Sequence, residues 1–92
     1  MHVVVHHRII DRERFLATDP HDIAANAPPG ATVRHFLPAR DASAADCLWE
    51  SGSLDALRDY LDSETRGFCQ NTYFEVAPES ALGLPDPASA SA

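Results

Sequence analysis

Apolar and polar side chains alternate along residues 2–10, which are also rich in valine and isoleucine. Successive side chains of a β-strand point to opposite faces of the sheet, so this pattern predicts a strand with one face towards a core. The odd positions are the more apolar, and we expect them to face that core. These are Val3, Val5, His7 and Ile9, and the opposite face carries His2, Val4, His6 and Arg8.

The segment after this strand carries two helix start signals in close succession. Asp11 is placed to cap a short helix over residues 12–17, because its carboxylate can accept a hydrogen bond from a free backbone N–H. Asp19 stands directly before Pro20, and proline is favoured at the first position of a helix. The sequence therefore predicts a helical region that is broken near Thr18 to Pro20.

The clearest helical pattern follows Ser53, which is a favourable capping residue. Apolar residues recur after it at helical spacing, and Gly67 is placed to end the helix. The apolar stripe comprises Leu54, Leu57 and Leu61, and Tyr60 extends it.

Three further segments have strand character, namely residues 31–38, 45–50 and 68–76. Only a tight connection separates the first two, so we expect them to pair as a hairpin. The order β, α, β, β, α, β predicts a ferredoxin-like α+β fold with a four-stranded antiparallel sheet and both helices on one face. We call the side of the sheet beneath the helices the covered face, and the other side the open face.

The chain has 92 residues, which is enough for one small domain. We assign residues 1–76 to the ferredoxin-like domain and residues 77–92 to a C-terminal extension. This extension contains a proline-started turn over Pro78–Leu82 and a tail of proline, alanine and serine that we expect to be partly disordered. Because a small protein gains from covering an apolar sheet face, we also expect a homodimer that pairs through the open face.

The charge balance excludes several classes of function. The formal net charge is −7, and the 7 basic residues, all arginine, are scattered among 14 acidic ones. Nucleic-acid phosphates need a concentrated basic surface, so we expect no nucleic-acid partner. No segment has the length of a membrane span, and no cleavable signal is recognisable. Two cysteines are too few for a disulfide scaffold, which favours a cytoplasmic protein.

The faces of the second and third strands depend on the register of the hairpin that joins them. If the hairpin turns about Ala42, His35 lies opposite Trp49. Leu37 then lies opposite Cys47, and all four side chains share the covered face. A slip of one residue would reverse this assignment.

On the last strand we expect Phe68, Phe74 and Val76 to be buried, with Cys69, Asn71, Tyr73 and Glu75 on the open face.

These assignments predict two groups of chemically active side chains. The candidate ligand-binding residues of the covered side are His7, His35, Cys47, Trp49 and Tyr60. The candidate metal ligands of the open face are His2, His6, Glu50 and Tyr73. Imidazole combined with carboxylate or phenolate favours nickel, copper or zinc over calcium or magnesium. The structural alternative for each is a side chain that is simply hydrogen-bonded in the core or solvated at the surface.

The sequence contains no Cys-x-x-Cys or His-Glu-x-x-His motif, no phosphate loop and no dinucleotide fingerprint. Residues in a Ser-His-Asp order for nucleophilic hydrolysis are also not apparent. A metal or substrate site must therefore be assembled from side chains of separate strands.

Three stretches of the second half carry a family resemblance, namely Cys47-Leu48-Trp49-Glu50, Ser53-Leu54-Asp55-Ala56-Leu57-Arg58 and Asn71-Thr72-Tyr73-Phe74-Glu75-Val76. They resemble small bacterial proteins of the dimeric α+β barrel superfamily, most closely an uncharacterised branch that includes nickel-binding members. The resemblance implies a homodimer, a cavity beside the sheet, and a metal ion or small molecule as ligand. In monooxygenases of this superfamily, a polar residue of the first strand and a tryptophan of the third meet a histidine of the second helix. His7 and Trp49 match the first two, but residues 53–66 contain no histidine, so haem is not an expected cofactor.

Three functions follow from these features. The leading hypothesis is a small homodimeric ligand-binding protein that holds nickel or zinc through histidines of the sheet. The second is a cofactor-independent monooxygenase or cyclase that takes a small apolar substrate, with His7 or His35 as general base. The third is an accessory module whose acidic surface or extension binds a partner protein. The sequence leaves open whether the protein is an enzyme.

Overall fold

The computed structural model describes residues 1–86 of the chain. It is an α+β fold with one four-stranded antiparallel sheet and three helices, and it is compatible with a small ferredoxin-like fold. The strands are β1 (His2–Ile9), β2 (Thr32–Pro38), β3 (Ala44–Glu50) and β4 (Cys69–Glu75). The helices are α1 (Arg12–Ala17), α2 (Pro20–Ala25) and α3 (Leu54–Glu64).

The strand order across the sheet is β2-β3-β1-β4, and every neighbouring pair is antiparallel. The predicted alternation of β1 is confirmed, because Val3 and Val5 are fully buried on the covered face while His6 and Arg8 are exposed on the open face. As a central strand, β1 pairs with both β3 and β4. Its side chains therefore lie in the middle of each face.

The predicted capping residues begin all three helices. The side chains of Asp11, Asp19 and Ser53 each accept a hydrogen bond from a backbone N–H in the first turn of the helix that follows. Thr18 and Asp19 have extended backbone conformations between α1 and α2. The predicted break in the first helical region is thus confirmed.

The helices cover the sheet unequally. Leu57 and Leu61 of α3 are buried against Val3, Val5 and Trp49. Burying each of these leucine side chains contributes about 1.5–3 kcal/mol to folding. By contrast, α1 and α2 have 6 residues each and no buried side chain. They stand away from the β2 half of the sheet and leave a cavity beneath them.

The register that we predict for the β2–β3 hairpin is wrong by one residue. Val33 lies opposite Trp49, but the ladder shifts before the next pair, so that His35 lies opposite Leu48. The extra residue in this bulge is Arg34. A bulge changes the face of every residue beyond it, and hydrophobic alternation does not reveal its position in advance.

The bulge exchanges the residues that β2 presents to the covered face. Phe36 lies opposite Cys47 and packs against the core. His35 and Leu37, which we predict on that face, are exposed on the open face instead. The aromatic side chain of Phe36 thus fills the position beside Cys47.

Phe68 is buried as predicted, but the faces predicted for the residues of β4 are wrong. Tyr73 lies opposite Val5, and Asn71 lies opposite His7, so both are on the covered face. Phe74, a predicted core residue, is on the open face and 58% exposed. The pattern fails here because α3 provides hydrogen-bond partners for polar side chains that would otherwise face water. The same register places Cys69 and Glu75 on the covered face.

The C-terminal extension begins with the predicted turn, in which the Ser80 N–H donates to the Ala77 carbonyl. It then approaches β2, where Arg34 Nη1 donates to the Asp86 carbonyl at 2.7 Å. The tail that we predict to be partly disordered extends through residues 87–92, which lie outside the described residues. Within residues 1–86, no helix combines the length and apolar character needed to cross a membrane.

Candidate functional site

A cavity of about 660 Å³ lies between the covered face and the two short helices. This volume is in the range of sites that bind small molecules. Phe15 of α1 approaches Phe36 of β2 with 6.4 Å between ring centres, which joins the helix to the edge of the sheet. Much of the cavity wall is apolar and includes Phe15, Ile23, Ala24, Val33, Phe36 and Phe68.

Three buried residues of the central strands line the cavity, and we call His7, Cys47 and Trp49 the cavity floor. Cys47 lies opposite Val5, one diagonal position from His7, which is within reach of an imidazole. His7 Nε2 and Cys47 Sγ are 3.2 Å apart. The pairing of β1 with β3 therefore places a base next to a thiol.

Asn71 determines the tautomer of His7. The Asn71 amide nitrogen donates to Thr65 Oγ1 at 2.9 Å and to Asp62 Oδ1 at 3.0 Å. The Thr65 hydroxyl donates its own proton to a backbone carbonyl of α3, so it accepts from Asn71. Asn71 Oδ1 consequently faces His7 Nδ1 at 2.6 Å and accepts its proton. His7 Nε2 then carries the lone pair and accepts the S–H of Cys47.

Burial keeps the His7–Cys47 pair uncharged. It lowers the pKa of His7 below the usual value of 6.5 and raises the pKa of the Cys47 thiol to about 12. The hydrogen bond that His7 donates to Asn71 raises the pKa of His7, but this effect is smaller than that of burial. Near neutral pH the floor therefore holds a thiol and a neutral imidazole, arranged as nucleophile, base and orienting amide.

The Trp49 indole adds a hydrogen-bond donor to the floor. Its Nε1 is buried and makes no hydrogen bond of good geometry within residues 1–86. Burial raises the pKa of the Cys47 thiol, and the indole N–H lowers it by a smaller amount. A buried donor without a partner costs about 1–3 kcal/mol. This N–H is thus available to stabilise negative charge on the Cys47 sulfur.

Three basic side chains border the cavity opening in a protein of net charge −7. All three belong to exposed residues that line the cavity, and we call these residues the rim. They are Arg12, His21 and Arg40. Arg34 also borders the cavity, but its guanidinium lies 3.2 Å from the Glu50 carboxylate. Among the residues that the structure describes, the cavity wall includes no aspartate or glutamate. An anion at the rim would therefore meet two arginines, and the nearby carboxylate of Asp41, which interacts with Arg12, would offset part of their charge.

The predicted metal ligands do not form one cluster. His2 Nε2 lies 3.9 Å from Glu50 Oε2, and His6 forms a separate pair with Asp46 at 2.6 Å. Tyr73 is on the covered face, where its hydroxyl donates to a carboxylate of α3. The described part of the chain contains no group of three or more His, Cys, Asp or Glu side chains that could hold a metal ion. Nickel or zinc binding stays a prediction, and these residues alone do not complete a site for either metal.

Of the predicted ligand-binding residues, the structure brings three together and sets two apart. His7, Cys47 and Trp49 form the cavity floor. His35 belongs to the edge strand β2. It borders the cavity there, but its side chain is exposed and lies on the open face. Tyr60 packs against the core and donates to a backbone carbonyl of α2 at 2.7 Å, and it does not line the described cavity. Tyr60 thus connects α3 to α2.

The sequence pattern missed Asn71 as the partner of His7, and it missed the rim. Asn71 could have been found from the register of β4, since it lies opposite His7. Arg12 follows β1, and Arg40 follows β2. In a ferredoxin-like sheet these two strands run in the same direction and finish at the same end of the sheet. The topology therefore already places the two arginines at one end.

Comparisons with known proteins identified no relative. No protein-family model matches the chain, and no curated protein or solved structure matches it either. The resemblance to the dimeric α+β barrel superfamily stays a prediction. The function must be inferred from the cavity itself.

Proposed function

We propose that the protein binds a small molecule that has an apolar, preferably aromatic, body and an anionic end. The observation that carries this proposal is the distribution of groups around the cavity. The wall is mostly apolar, His7 is at the buried floor, and Arg12 and Arg40 are at the exposed rim. Small-molecule sites combine an apolar wall with a few placed polar groups in this way.

The two ends of the cavity favour different parts of such a ligand. An aromatic ring against the wall removes apolar surface from water, at about 25 cal/mol per Å². A carboxylate at the rim stays partly hydrated, so its attraction to Arg12 and Arg40 is not offset by a large desolvation cost. The same arginines would repel a cationic ligand.

Calorimetry with 3-benzoylpropionate tests the proposal, because this probe joins a phenyl ketone to a carboxylate. We expect saturable binding of one probe per chain, with a Kd on the order of 0.1 mM. Butyrophenone, which lacks the carboxylate, should bind about fivefold or more weakly. If 3-benzoylpropionate shows no saturable binding, the proposal is contradicted.

Two pairs of variants locate the binding site. Ala24→Phe fills the cavity from α2, whereas Ala25→Phe places the same side chain at an exposed position outside the wall. We expect about tenfold or greater weakening from the first and little change from the second. Arg12→Gln combined with Arg40→Gln should weaken binding of the carboxylate but not of butyrophenone. Arg8→Gln combined with Arg66→Gln is the matched charge control, because both arginines are exposed and lie outside the cavity wall.

Binding of nickel or zinc by a homodimer is the second candidate. It is favoured by His2 Nε2, which is buried, makes no hydrogen bond within residues 1–86 and lies 3.9 Å from Glu50. Leu37 and Phe74 are exposed on the same open face, and a second copy could cover them and supply further ligands.

Sedimentation velocity and titration with nickel or zinc chloride test this candidate. His2→Ala should abolish metal binding, and equal binding by His2→Ala and wild type would contradict it.

A further inference from the structure

The cavity floor contains more functional groups than the binding of an apolar ligand requires. Cys47 Sγ lies 3.2 Å from His7 Nε2, and His7 Nδ1 lies 2.6 Å from Asn71 Oδ1. A nucleophile, a base and a group that orients the base are the components that activate a thiol or hydroxyl in covalent catalysis. All three side chains belong to rigid strands of the sheet.

Two neighbours act on the Cys47 sulfur in complementary ways. His7 Nε2 is oriented to accept the thiol proton, because Asn71 holds the proton on Nδ1. The Trp49 N–H, buried and without a hydrogen bond of good geometry in the described residues, favours the thiolate that would remain. The same residues line the cavity, so a bound ligand would lie beside the activated sulfur.

We propose that Cys47 is a nucleophile that adds reversibly to α,β-unsaturated carbonyl compounds bound in the cavity, with His7 as general base and Asn71 as a positioning residue. This inference rests on the binding function proposed above and adds the substrate class. A conjugated carbonyl fits an apolar cavity because its addition needs no water and releases no leaving group.

The addition balances without an external reagent. The Cys47 sulfur forms a bond to the β-carbon as His7 Nε2 takes the thiol proton. The electrons of the carbon–carbon double bond move towards the carbonyl and give an enolate. His7 then delivers its proton to the α-carbon, which leaves a thioether, a ketone and a neutral imidazole. The reverse sequence releases the ligand.

Cys69 provides an internal control. It lines the same cavity and is more exposed than Cys47, but it has no histidine partner in the described residues. Exposure alone therefore predicts faster modification of Cys69. Activation by His7 predicts the opposite order.

The experiment exposes the full-length protein to trans-3-benzoylacrylate near neutral pH and quantifies adducts at both cysteines by peptide mass spectrometry. We expect Cys47 to react about tenfold or more faster than Cys69. His7→Gln should slow the reaction of Cys47 about 100-fold, whereas His6→Gln on the opposite face should not change it. Equal rates at the two cysteines, or equal effects of the two variants, would overturn the proposal.

The pH profile of the wild-type protein gives a readout that does not depend on the folding of a variant. The ionisable groups that act on His7 are His6, Asp46 and Asp62, and Cys47 lies against it. We expect the Cys47 rate to rise as His7 loses its proton and to be level from about pH 7 to pH 9. A rate that rises about tenfold per pH unit over this range, as for an unassisted thiol, would overturn the role of His7.

The saturated probe separates the two proposals. 3-Benzoylpropionate lacks the reactive double bond and reports binding alone. If it binds and Cys47 reacts no faster than Cys69, the nucleophile proposal is wrong and the binding function stands. If it does not bind, the proposed function is contradicted whatever the reactivity of Cys47.

Discussion

The two faces of the sheet come from the same four strands but hold their polar side chains in different ways. On the covered face, His7 belongs to a continuous chain of hydrogen bonds that runs from the buried Cys47 through the partly buried Asn71 to α3. On the open face, His6 pairs with Asp46, and both side chains are about half exposed, at 51% and 56%. Adjacent histidines of one strand thus have different environments.

Desolvation explains this difference. A polar group beneath a helix loses water and must find a protein partner, whereas one on the open face can remain hydrated. The histidine of the covered face is therefore held in one orientation and one tautomer. We infer that chemistry belongs to the covered face and that the pairs of the open face contribute little. The following predictions test this comparison, beginning with the largest expected effect.

Leu57→Ala should destabilise the protein by about 2–5 kcal/mol, because it removes a fully buried side chain between α3 and the sheet. Leu37→Ala is the matched change on the open face, where Leu37 is 64% exposed, and should cost less than about 0.5 kcal/mol. Urea unfolding measures both free energies. Similar losses from the two variants would mean that the faces are not packed differently.

Asn71→Leu should cost about 1–3 kcal/mol, because it leaves buried donors and acceptors of the covered face without partners. The His7 N–H and the Thr65 oxygen lose their hydrogen bonds in this variant. Thr72→Val, at the next position on the exposed side of β4, is the control and should change stability by less than about 0.5 kcal/mol. Urea unfolding that ranks the control above Asn71→Leu would refute a structural role for the network.

The stability contributed by His7 should be lost on acidification. Its pKa is lowered in the folded protein, so the unfolded chain binds more protons as the pH falls below 6.5. The contribution is fully present above that pH and declines through the lowered pKa. His7→Gln should therefore reduce the slope of unfolding free energy against pH in this window. Parallel curves for wild type and His7→Gln would contradict the burial effect.

The smallest effect is expected at the pair of His6 and Asp46. Asp46→Asn should change the free energy of unfolding by less than about 0.5 kcal/mol, because exposed ion pairs contribute little. Thermal and urea unfolding at low and high salt provide the measurement. A loss above about 1 kcal/mol would show that the open face also holds a significant polar interaction.

The sequence was sufficient to predict local structure where one side chain acts on its own neighbours. The caps at Asp11, Asp19 and Ser53 satisfy backbone N–H groups of the next turn, so they depend on nearby residues alone. The alternation of β1 was also predictable, because Val3 and Val5 differ clearly from Arg8. These features give the element order and the face on which His7 lies.

The candidate site was only half predictable because it depends on pairing between strands. His7, Cys47 and Trp49 were assigned to one face correctly. The bulge at Arg34 and the phase of β4 carry no mark in the hydrophobic pattern. The pattern also treats Asn71 as a surface residue, although it is partly buried and α3 satisfies its amide. Contacts between distant residues, rather than local propensity, decided these positions.

The central claim, that the covered face holds the ligand site, is tested most directly by methyl NMR during titration with 3-benzoylpropionate. Methyl groups report on one face only, unlike backbone amides within the sheet. We predict saturable shifts for Ile23 and Val33 in the cavity wall, and unchanged signals for Val4 and Leu37 on the open face. Shifts confined to the open face, or no saturable shift on the covered face, would contradict the account.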